Sequence, residues 1–332
     1  MKIAINGFGR IGRTFLRSIL TDKNAQKKIQ VEVINVGPKK YEQVDLLFKY
    51  DSVMHEFPGK VEFKKDMLII GDKKIKIIFE PDPTKLPWGK YGIDWVIESS
   101  GKFTTKELAL GHISAGACNV LITAPSADAD IAIIPGVNDS AYNSKKHHIV
   151  SLGSCTTNAF SPLIKIIKEN FGIVNGMMTT IHAYTNDQVL LDVEHKDPRR
   201  ARAAALNIVP TKTGASKVIT QIFPDLKGKI EAVAIRVPVP VVSLIDFTFV
   251  AEKSITVTKV NKAFETAANK SLNKILEYTN LPLVSSDFIG NTHSCIFDSL
   301  LTQCNENVCK IFGWYDNEFG YSCRLKDFLL HK

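Results

Sequence analysis

A glycine-rich loop near the start of the chain constrains the fold more strongly than any other feature of the sequence. Lys2 to Asn6 has the pattern of a short buried strand, and apolar residues recur at helical spacing over residues 12–20. Between them, Gly7-Phe8-Gly9-Arg10-Ile11-Gly12 matches GxGxxG, whose glycines let the backbone approach a pyrophosphate at a helix N-terminus. The sequence therefore predicts a dinucleotide-binding βαβ unit. The loop residues expected at the cofactor are Gly7, Gly9, Arg10, Ile11 and Gly12.

The remainder of the first half continues as strands separated by helical stretches. Further strands are predicted at residues 31–35, 95–98 and 120–123, which indicates a doubly wound parallel sheet of the Rossmann type. Residues 60–79 alternate in polarity and contain a Gly71-Asp72 turn, so we expect an antiparallel excursion there. This part of the chain belongs to the α/β class.

After about residue 152 the pattern changes, and a second domain is expected. A long helix is predicted near residues 158–170, and strands are predicted at residues 177–181 and 241–250. These longer strands, without regular alternation with helices, indicate an α+β domain.

The end of the second strand leaves the choice of coenzyme open. An acidic residue that binds the adenosine 2′-hydroxyl is expected about 20 residues after the glycine loop. Glu32 has this separation but lies near the start of the strand, whereas Asn35-Val36-Gly37-Pro38-Lys39-Lys40 at its end has no carboxylate. Lys39 and Lys40 could bind the 2′-phosphate of NADP, although two lysines in a turn are as often solvated surface. The sequence predicts NAD or NADP.

The charge of the chain favours anionic partners. Its 332 residues carry a formal net charge of +8, which suits phosphorylated metabolites as well as nucleic acid. Because no nucleic-acid-binding motif with interleaved aromatic residues occurs, nucleic acid is an unlikely primary partner. No apolar run reaches bilayer length and the start of the chain lacks a leader pattern, so a cytoplasmic protein without membrane contact is expected.

The cysteines point to neither a disulfide framework nor a zinc site. The six are scattered without a CxxC pair, so we expect free thiols and no metal site. One of them, Cys155, lies in Ser154-Cys155-Thr156-Thr157-Asn158 just before the predicted helix, where a helix N-terminus lowers the pKa of a thiol. Cys155 is therefore a candidate nucleophile, with a small buried hydrophobic residue as the alternative.

The stretch around Cys155, taken with the N-terminal loop, resembles the active-site signature of glyceraldehyde-3-phosphate dehydrogenases. The resemblance continues co-linearly over nearly the whole chain. It includes Lys49-Tyr50-Asp51-Ser52, Glu98-Ser99-Ser100-Gly101, Thr123-Ala124-Pro125-Ser126, His182-Ala183-Tyr184-Thr185, the stretch from Asp197 to Ala204, Ala234-Ile235-Arg236-Val237-Pro238 and Trp314-Tyr315-Asp316-Asn317-Glu318.

This resemblance implies a reaction and a pair of catalytic residues. Cys155 would attack the aldehyde of glyceraldehyde 3-phosphate, and His182 would act as the base; without the resemblance His182 reads as a core histidine. After hydride transfer to NAD or NADP, inorganic phosphate would release the thioester as an acyl phosphate. The other cofactor-binding residues that it implies are Asn35, Val36, Gly101, Thr123 and Asn317.

The resemblance also implies two anion sites. The residues assigned to the substrate phosphate are Thr185 and Arg236, and Arg200 could serve either anion. Those assigned to inorganic phosphate are Ser154, Thr156, Thr213 and Gly214. As alternatives, Arg236 could form a structural ion pair and Thr213-Gly214 a simple turn.

The domain limits and the assembly follow from the same resemblance. Residues 1–151 form the cofactor domain and residues 152–315 a catalytic domain with a large, mostly antiparallel sheet, while a last helix at 316–332 packs back on the first domain. A homotetramer is expected. Val36 is similar to the solution in family members that accept NADP, and the direction of the reaction, glycolytic or gluconeogenic, stays open.

Two other functions compete with this interpretation. Erythrose-4-phosphate dehydrogenase uses the same cysteine and histidine, but it typically lacks the phosphate-loop glycine that this chain keeps at Gly214. A nucleic-acid-binding or scaffold protein is the alternative from a different class, and it rests on the basic charge alone.

Overall fold

The computed structural model describes residues 1–38 and 42–331. Lys39 and Lys40, the candidate ligands for a 2′-phosphate, lie outside the described residues. The chain divides into two compact units. The first comprises Met1–Ile133, Ser140–Gly153 and the chain from Ser322 onward, and the second comprises Ile134–Asp139 and Ser154–Tyr321.

A mostly parallel sheet forms the centre of the first unit. Its strands run in the order β3-β4-β5-β2-β1-β6-β7-β9-β8. They are β1 (Lys2–Asn6), β2 (Gln30–Asn35), β3 (Val61–Lys64), β4 (Met67–Ile70), β5 (Lys73–Ile78), β6 (Trp95–Glu98), β7 (Asn119–Ile122), β8 (Ile131–Ala132) and β9 (Ile149–Ser151). The predicted doubly wound sheet is confirmed, and so is the antiparallel excursion, since β3, β4 and β5 pair antiparallel while β5 joins β2 in parallel.

The first unit also contains helices. The C-terminal helix belongs to both units, because the second unit ends at Tyr321 and the first resumes at Ser322. The helices are α1 (Arg10–Leu20), α2 (Lys23–Lys28), α3 (Val44–Lys49), α4 (Trp88–Tyr91), α5 (Lys106–Ser114) and, after the helices of the second unit, α9 (Phe319–Leu330). Within the first unit, Lys326 of α9 donates to the Asp22 carboxylate at 2.6 Å, and Phe328 packs edge-on against Trp95.

The second unit contains a mixed sheet in the order β11-β12-β10-β13-β17-β15-β14, with β16 paired to β17. Its elements are α6 (Cys155–Phe171), β10 (Asn175–Ala183), β11 (Val209–Lys212), α7 (Ala215–Ile222), β12 (Ile230–Val237), β13 (Ser243–Val250), α8 (Val257–Asn269), β14 (Leu276–Thr279), β15 (Cys295–Asp298), β16 (Gln303–Asn305) and β17 (Val308–Tyr315). The pairs β10–β12 and β14–β15 are parallel and the other pairs antiparallel, so the predicted α+β domain is confirmed.

Helix α6 packs its apolar side against this sheet and forms much of the core. Phe160 of α6 contacts Phe247 of β13 edge-on, with ring centroids 4.9 Å apart. The helix begins three residues before the predicted Asn158, because the extended Ser154 caps it and its hydroxyl accepts from the Thr157 amide at 3.0 Å. The cap places Cys155 in the first turn.

Among the described residues, none of the helices has both the length and the hydropathy that a bilayer span requires.

The expectation of six free thiols is wrong for two cysteines. Cys304 of β16 and Cys309 of β17 form a disulfide. The two residues face each other directly in the antiparallel register, with Cα atoms 4.1 Å apart. A spacing of five residues is no disulfide motif, so this pair depends on the hairpin and could not be predicted from cysteine spacing.

A buried polar network crosses the first unit. Glu98, 1% exposed, accepts from Asn6 Nδ2 at 2.5 Å and from both the amide and the hydroxyl of Ser100 at 2.8 and 2.5 Å. His112 Nε2 lies 3.0 Å from Glu98 Oε2, the oxygen that also accepts from Asn6, while His112 Nδ1 receives the Trp88 indole N–H at 3.1 Å. Because an indole can only donate, the ring proton of His112 is on Nε2 and points at Glu98.

The substitution His112→Leu should destabilise the protein by about 2 to 5 kcal/mol, because it leaves the Trp88 indole without an acceptor and removes one of the two donors to Oε2 of a buried carboxylate. Urea denaturation of the variant and the native chain measures this difference. His331→Leu is the control, since His331 is exposed and a change there should stay within about 0.5 kcal/mol. Equal losses in the two variants would contradict the assignment of the network.

Candidate functional site

The glycine loop of the first unit has the shape of an anion cradle. Gly7 has φ +92°, and a Cβ atom there would lie 2.4 Å from the Ser100 amide nitrogen; a Cβ on Gly12 would lie 2.3 Å from the Gly7 carbonyl oxygen. Gly9, by contrast, has no atom within 4 Å of the Cβ position. It precedes α1, and no side chain caps the first turn of that helix. The loop therefore leaves a helix N-terminus open to a ligand phosphate.

A cavity of about 330 Å³ lies beside this loop. The lining residues that bear on ligand binding are Gly7, Phe8, Gly9, Val36, Glu80 and Ser100. The open position at Gly9, together with this cavity at the carboxyl ends of β1, β2 and β6, fits a dinucleotide whose pyrophosphate meets α1.

Two of the residues predicted to bind the cofactor make their hydrogen bonds to the protein. The Asn35 amide nitrogen donates to Asn6 Oδ1 at 2.7 Å and to the Glu80 carbonyl at 2.8 Å, and its oxygen accepts from the Glu80 amide at 3.0 Å. Arg10 forms an ion pair with Asp51, with Nη1 2.5 Å from Oδ2. Asn35 and Glu80 both line the cavity, so the contacts between them shape its wall.

The other predicted residues of this unit occupy its loops. Thr123 donates its hydroxyl to the Glu98 carbonyl at 3.0 Å. Gly101 has φ +74° and open space around its Cβ position. Val36 lines the cavity directly, and Ile11 lies in the first turn of α1.

In the second unit, Cys155 and His182 form a close pair. Cys155 begins α6, His182 lies near the end of β10, and Sγ is 3.6 Å from Nε2. Sulfur and nitrogen at this distance can exchange a proton. The sequence-based pairing of nucleophile and base is therefore realised within one unit.

Arg236 lies against the other side of the His182 ring. The parallel register of β10 and β12 pairs the two residues, and Arg236 Nη1 is 2.7 Å from His182 Nδ1 and 2.9 Å from the Ala183 carbonyl oxygen. Nδ1 itself lies 2.6 Å from that oxygen. Nδ1 therefore faces both the guanidinium, which can only donate, and the carbonyl oxygen, which can only accept, while Nε2 faces the sulfur of Cys155.

Burial and the charge of Arg236 set the protonation of the pair. Burial, helped by Arg236 and then Arg200, lowers the pKa of His182 to about 3. Burial also raises the pKa of the Cys155 thiol, by more than the Arg236 charge and the Thr156 hydrogen bonds lower it. The expectation that the helix N-terminus lowers the pKa of this thiol is thus wrong, because desolvation outweighs it. The resting pair is a thiol beside a neutral imidazole.

Two residues without a role assigned from the sequence support the pair. The Tyr315 hydroxyl lies 2.9 Å from Thr156 Oγ1 and 2.8 Å from Thr180 Oγ1, and its ring packs edge-on against His182. Ser243 accepts from the Ala183 amide at 3.1 Å and donates to Asn317 Oδ1 at 3.0 Å. Tyr315 lies in the Trp314 to Glu318 motif, which could have revealed it, whereas no sequence signal marks Ser243.

The predicted anion-binding residues differ in how many of their hydrogen-bonding groups already have a partner in the protein. The Arg236 guanidinium keeps a buried Nε without a partner in the described part of the chain. Arg200 instead pairs with Asp187, and its Nε donates to Thr211 Oγ1 at 2.9 Å. Arg236 therefore has the greater unused capacity for an anion.

The remaining predicted phosphate ligands lie at helix starts and in loops. Gly214 precedes α7 with open space at its Cβ position, and as the N-cap residue it makes no side-chain hydrogen bond to that helix. Thr213 Oγ1 accepts from the Ala215 amide at 3.3 Å. Thr185 is partly exposed, and its carbonyl accepts from the Gln188 amide at 2.8 Å. Gly214 leaves amides of α7 available to an anion.

Comparison with known proteins gives consistent matches over the chain. A family model for the NAD binding domain of glyceraldehyde 3-phosphate dehydrogenase matches residues 1–106, and one for the C-terminal domain of the same enzyme matches residues 154–317. Glyceraldehyde-3-phosphate dehydrogenase 2 of Bacillus subtilis is 45% identical over 332 residues, which cover 100% of this chain and 96% of that relative. Glyceraldehyde-3-phosphate dehydrogenase of Mycolicibacterium smegmatis is 47% identical, over 98% of this chain and 97% of the relative.

Removing the charge of Arg236 should suppress the reactivity of Cys155. Because that charge lowers the pKa of the thiol, Arg236→Gln should slow alkylation by iodoacetamide at pH 8 by roughly 10-fold. Arg236→Lys keeps the charge and should slow it less. Equal rates in both variants and the native protein would contradict the electrostatic role of Arg236.

His182 should also make the stability of the protein depend on pH. Its pKa is about 3 when folded and near 6.5 in the unfolded chain, so the unfolded state binds more protons between these values and stability falls as the pH drops through this window. In His182→Gln, the free energy of unfolding should fall less steeply, by up to about 1.4 kcal/mol per pH unit. Denaturant titrations at pH 6.5 and pH 4.5 measure the slopes, and an unchanged slope would contradict the buried neutral histidine.

Proposed function

Since this chain belongs to the glyceraldehyde-3-phosphate dehydrogenase family, we propose that it oxidises D-glyceraldehyde 3-phosphate and phosphorylates the product to 1,3-bisphosphoglycerate. The reaction is reversible, and the cofactor is NAD or NADP. The observation that carries this proposal is the 3.6 Å contact between Cys155 Sγ and His182 Nε2.

Cys155 starts the reaction as a covalent nucleophile. Its proton moves to Nε2 of His182 while the sulfur bonds to the aldehyde carbon, and His182 then gives this proton to the former carbonyl oxygen, which yields a thiohemiacetal and a neutral imidazole. Burial and Arg236 hold the imidazole neutral, as the base role requires. A substrate phosphate bound at Arg236 would offset the positive charge beside His182 and so raise its affinity for the proton it must accept.

The oxidation and the release of product follow at the same sulfur. The nicotinamide cofactor supplies the hydride acceptor, and His182 takes the hydroxyl proton as the thiohemiacetal becomes a thioester. An oxygen of inorganic phosphate then attacks the thioester carbon, the C–S bond breaks, and Cys155 leaves as a thiolate. The energy of oxidation is kept in the acyl phosphate.

Two groups of residues are proposed to hold the anions. Arg236, with its buried unpartnered Nε, and Thr185 bind the substrate phosphate. The amides at the start of α7, after Thr213 and the open Gly214, bind inorganic phosphate with Ser154 and Thr156, and Arg200 adds positive charge. Asn317, held by Ser243, binds the nicotinamide carboxamide.

The proposal extends to a cytoplasmic homotetramer active in glycolysis or gluconeogenesis. Large apolar side chains are exposed on the loop that contains Leu190 (81%), Leu191 (72%) and Leu206 (79%), and Met177 (74%) is exposed on β10. Patches of this kind are typical of surfaces buried between subunits.

The test is a coenzyme reduction assay with glyceraldehyde 3-phosphate, with and without inorganic phosphate. Turnover should require phosphate and should fall by at least about 10³-fold in Cys155→Ser, because serine is a far weaker nucleophile at neutral pH. Cys118→Ser, at an exposed free thiol, is the matched control and should retain activity. Turnover without phosphate, or only with erythrose 4-phosphate, would favour the hydrolytic relative instead.

A further inference from the structure

The cofactor cavity contains a carboxylate that the sequence pattern does not reveal. Strand β2 ends at Asn35 without an acidic residue, and Glu32, the acid with the expected spacing, pairs instead with Lys2 near the start of the strand. Glu80, however, lines the same cavity as Gly7, Gly9 and Val36. It follows β5, the strand that lies beside β2 in the sheet.

The sheet register and Asn35 bring Glu80 to the end of β2. Strands β2 and β5 run in parallel with Asn35 opposite Ile78, and the Val36 amide donates to the Ile78 carbonyl at 3.0 Å. The Asn35 side chain then holds the backbone of Glu80 at two points, its amide at 3.0 Å and its carbonyl at 2.8 Å. Glu80 is therefore anchored where a Rossmann fold places its ribose-binding acid.

The side chain of Glu80 keeps an acceptor for a ligand. Its Oε1 accepts from the Asp82 amide at 2.9 Å, which restrains the carboxylate, and Oε2 makes no hydrogen bond within residues 1–38 and 42–331. Two cationic side chains line the cavity within the described residues, Arg13 of α1 and Lys102 of the loop after β6. Neither lies at the end of β2. The charge at the end of β2 within the described cavity is thus negative.

We infer that Glu80 determines the coenzyme specificity, by accepting a hydrogen bond from the adenosine 2′-hydroxyl of NAD and repelling the 2′-phosphate of NADP. This inference rests on the proposed function, because it presumes that the cavity holds a nicotinamide dinucleotide. The acid absent from β2 is supplied by the neighbouring strand, so the chain prefers NAD although Val36 suggests otherwise.

Calorimetric titration of the full chain with NAD and with NADP tests this, since binding is read without turnover. The native protein should bind NAD at least about 10-fold more tightly than NADP. Glu80→Gln should weaken NAD by about 10-fold, through loss of a charged acceptor, and should tighten NADP by a similar factor. Asp82→Asn is the matched control: it removes the same charge two residues away, from a carboxylate that bonds Thr84, and should leave the ratio of affinities unchanged.

Several results would overturn the inference. Equal affinity of the native chain for the two coenzymes would overturn it without any variant. An unchanged ratio of NAD to NADP affinity in Glu80→Gln would also overturn it, and so would an equal change of that ratio in Asp82→Asn. Either result would leave the proposed function intact if NAD binds and turnover requires phosphate. If neither coenzyme binds the native chain and turnover is absent, the proposed function itself fails.

Discussion

The contact between Arg236 and His182 is the interaction on which the chemistry of the second unit depends. The parallel pairing of β10 with β12 sets the two residues opposite each other, and the carbonyl of Ala183 holds both side chains. Burial and the fixed positive charge on one side of the imidazole keep it neutral, and Nε2 on the other side faces the sulfur of Cys155. The strand register thus places the charge that acts on the catalytic base and positions its ring.

Desolvation has a second effect, since it also holds the thiol of Cys155 protonated in the absence of ligands. A nucleophile in this state reacts slowly with adventitious electrophiles. In the proposed mechanism, an anion bound beside Arg236 would make proton transfer to His182 more favourable, so binding of the phosphorylated substrate and activation of the sulfur would be coupled by electrostatics.

In the first unit, a buried hydrogen-bond network holds loops from several strands around one cavity. Buried Glu98 collects donors from Asn6, Ser100 and His112, and Asn35 connects Asn6 to the backbone of Glu80. The buried side chains of Asn6, Asn35, Glu98 and His112 thus satisfy one another or nearby backbone groups, as burial in a low-dielectric interior demands. The loops at the carboxyl ends of β1, β2, β5 and β6 are therefore fixed before a ligand arrives.

The sequence by itself determined the fold class, the glycine loop and the identity of Cys155, because these depend on local periodicity, on glycine conformation and on a motif contiguous in the chain. The resemblance added His182 and Arg236, residues that no local pattern distinguishes. Only the tertiary structure decided the rest. Strand register set the pairing of Cys304 with Cys309. Folding brought together residues that are distant in the chain, which are Tyr315 with Thr156 and Glu80 with Val36. The raised pKa of Cys155 likewise came from burial, which is a property of the packed chain and not of the few residues around the cysteine.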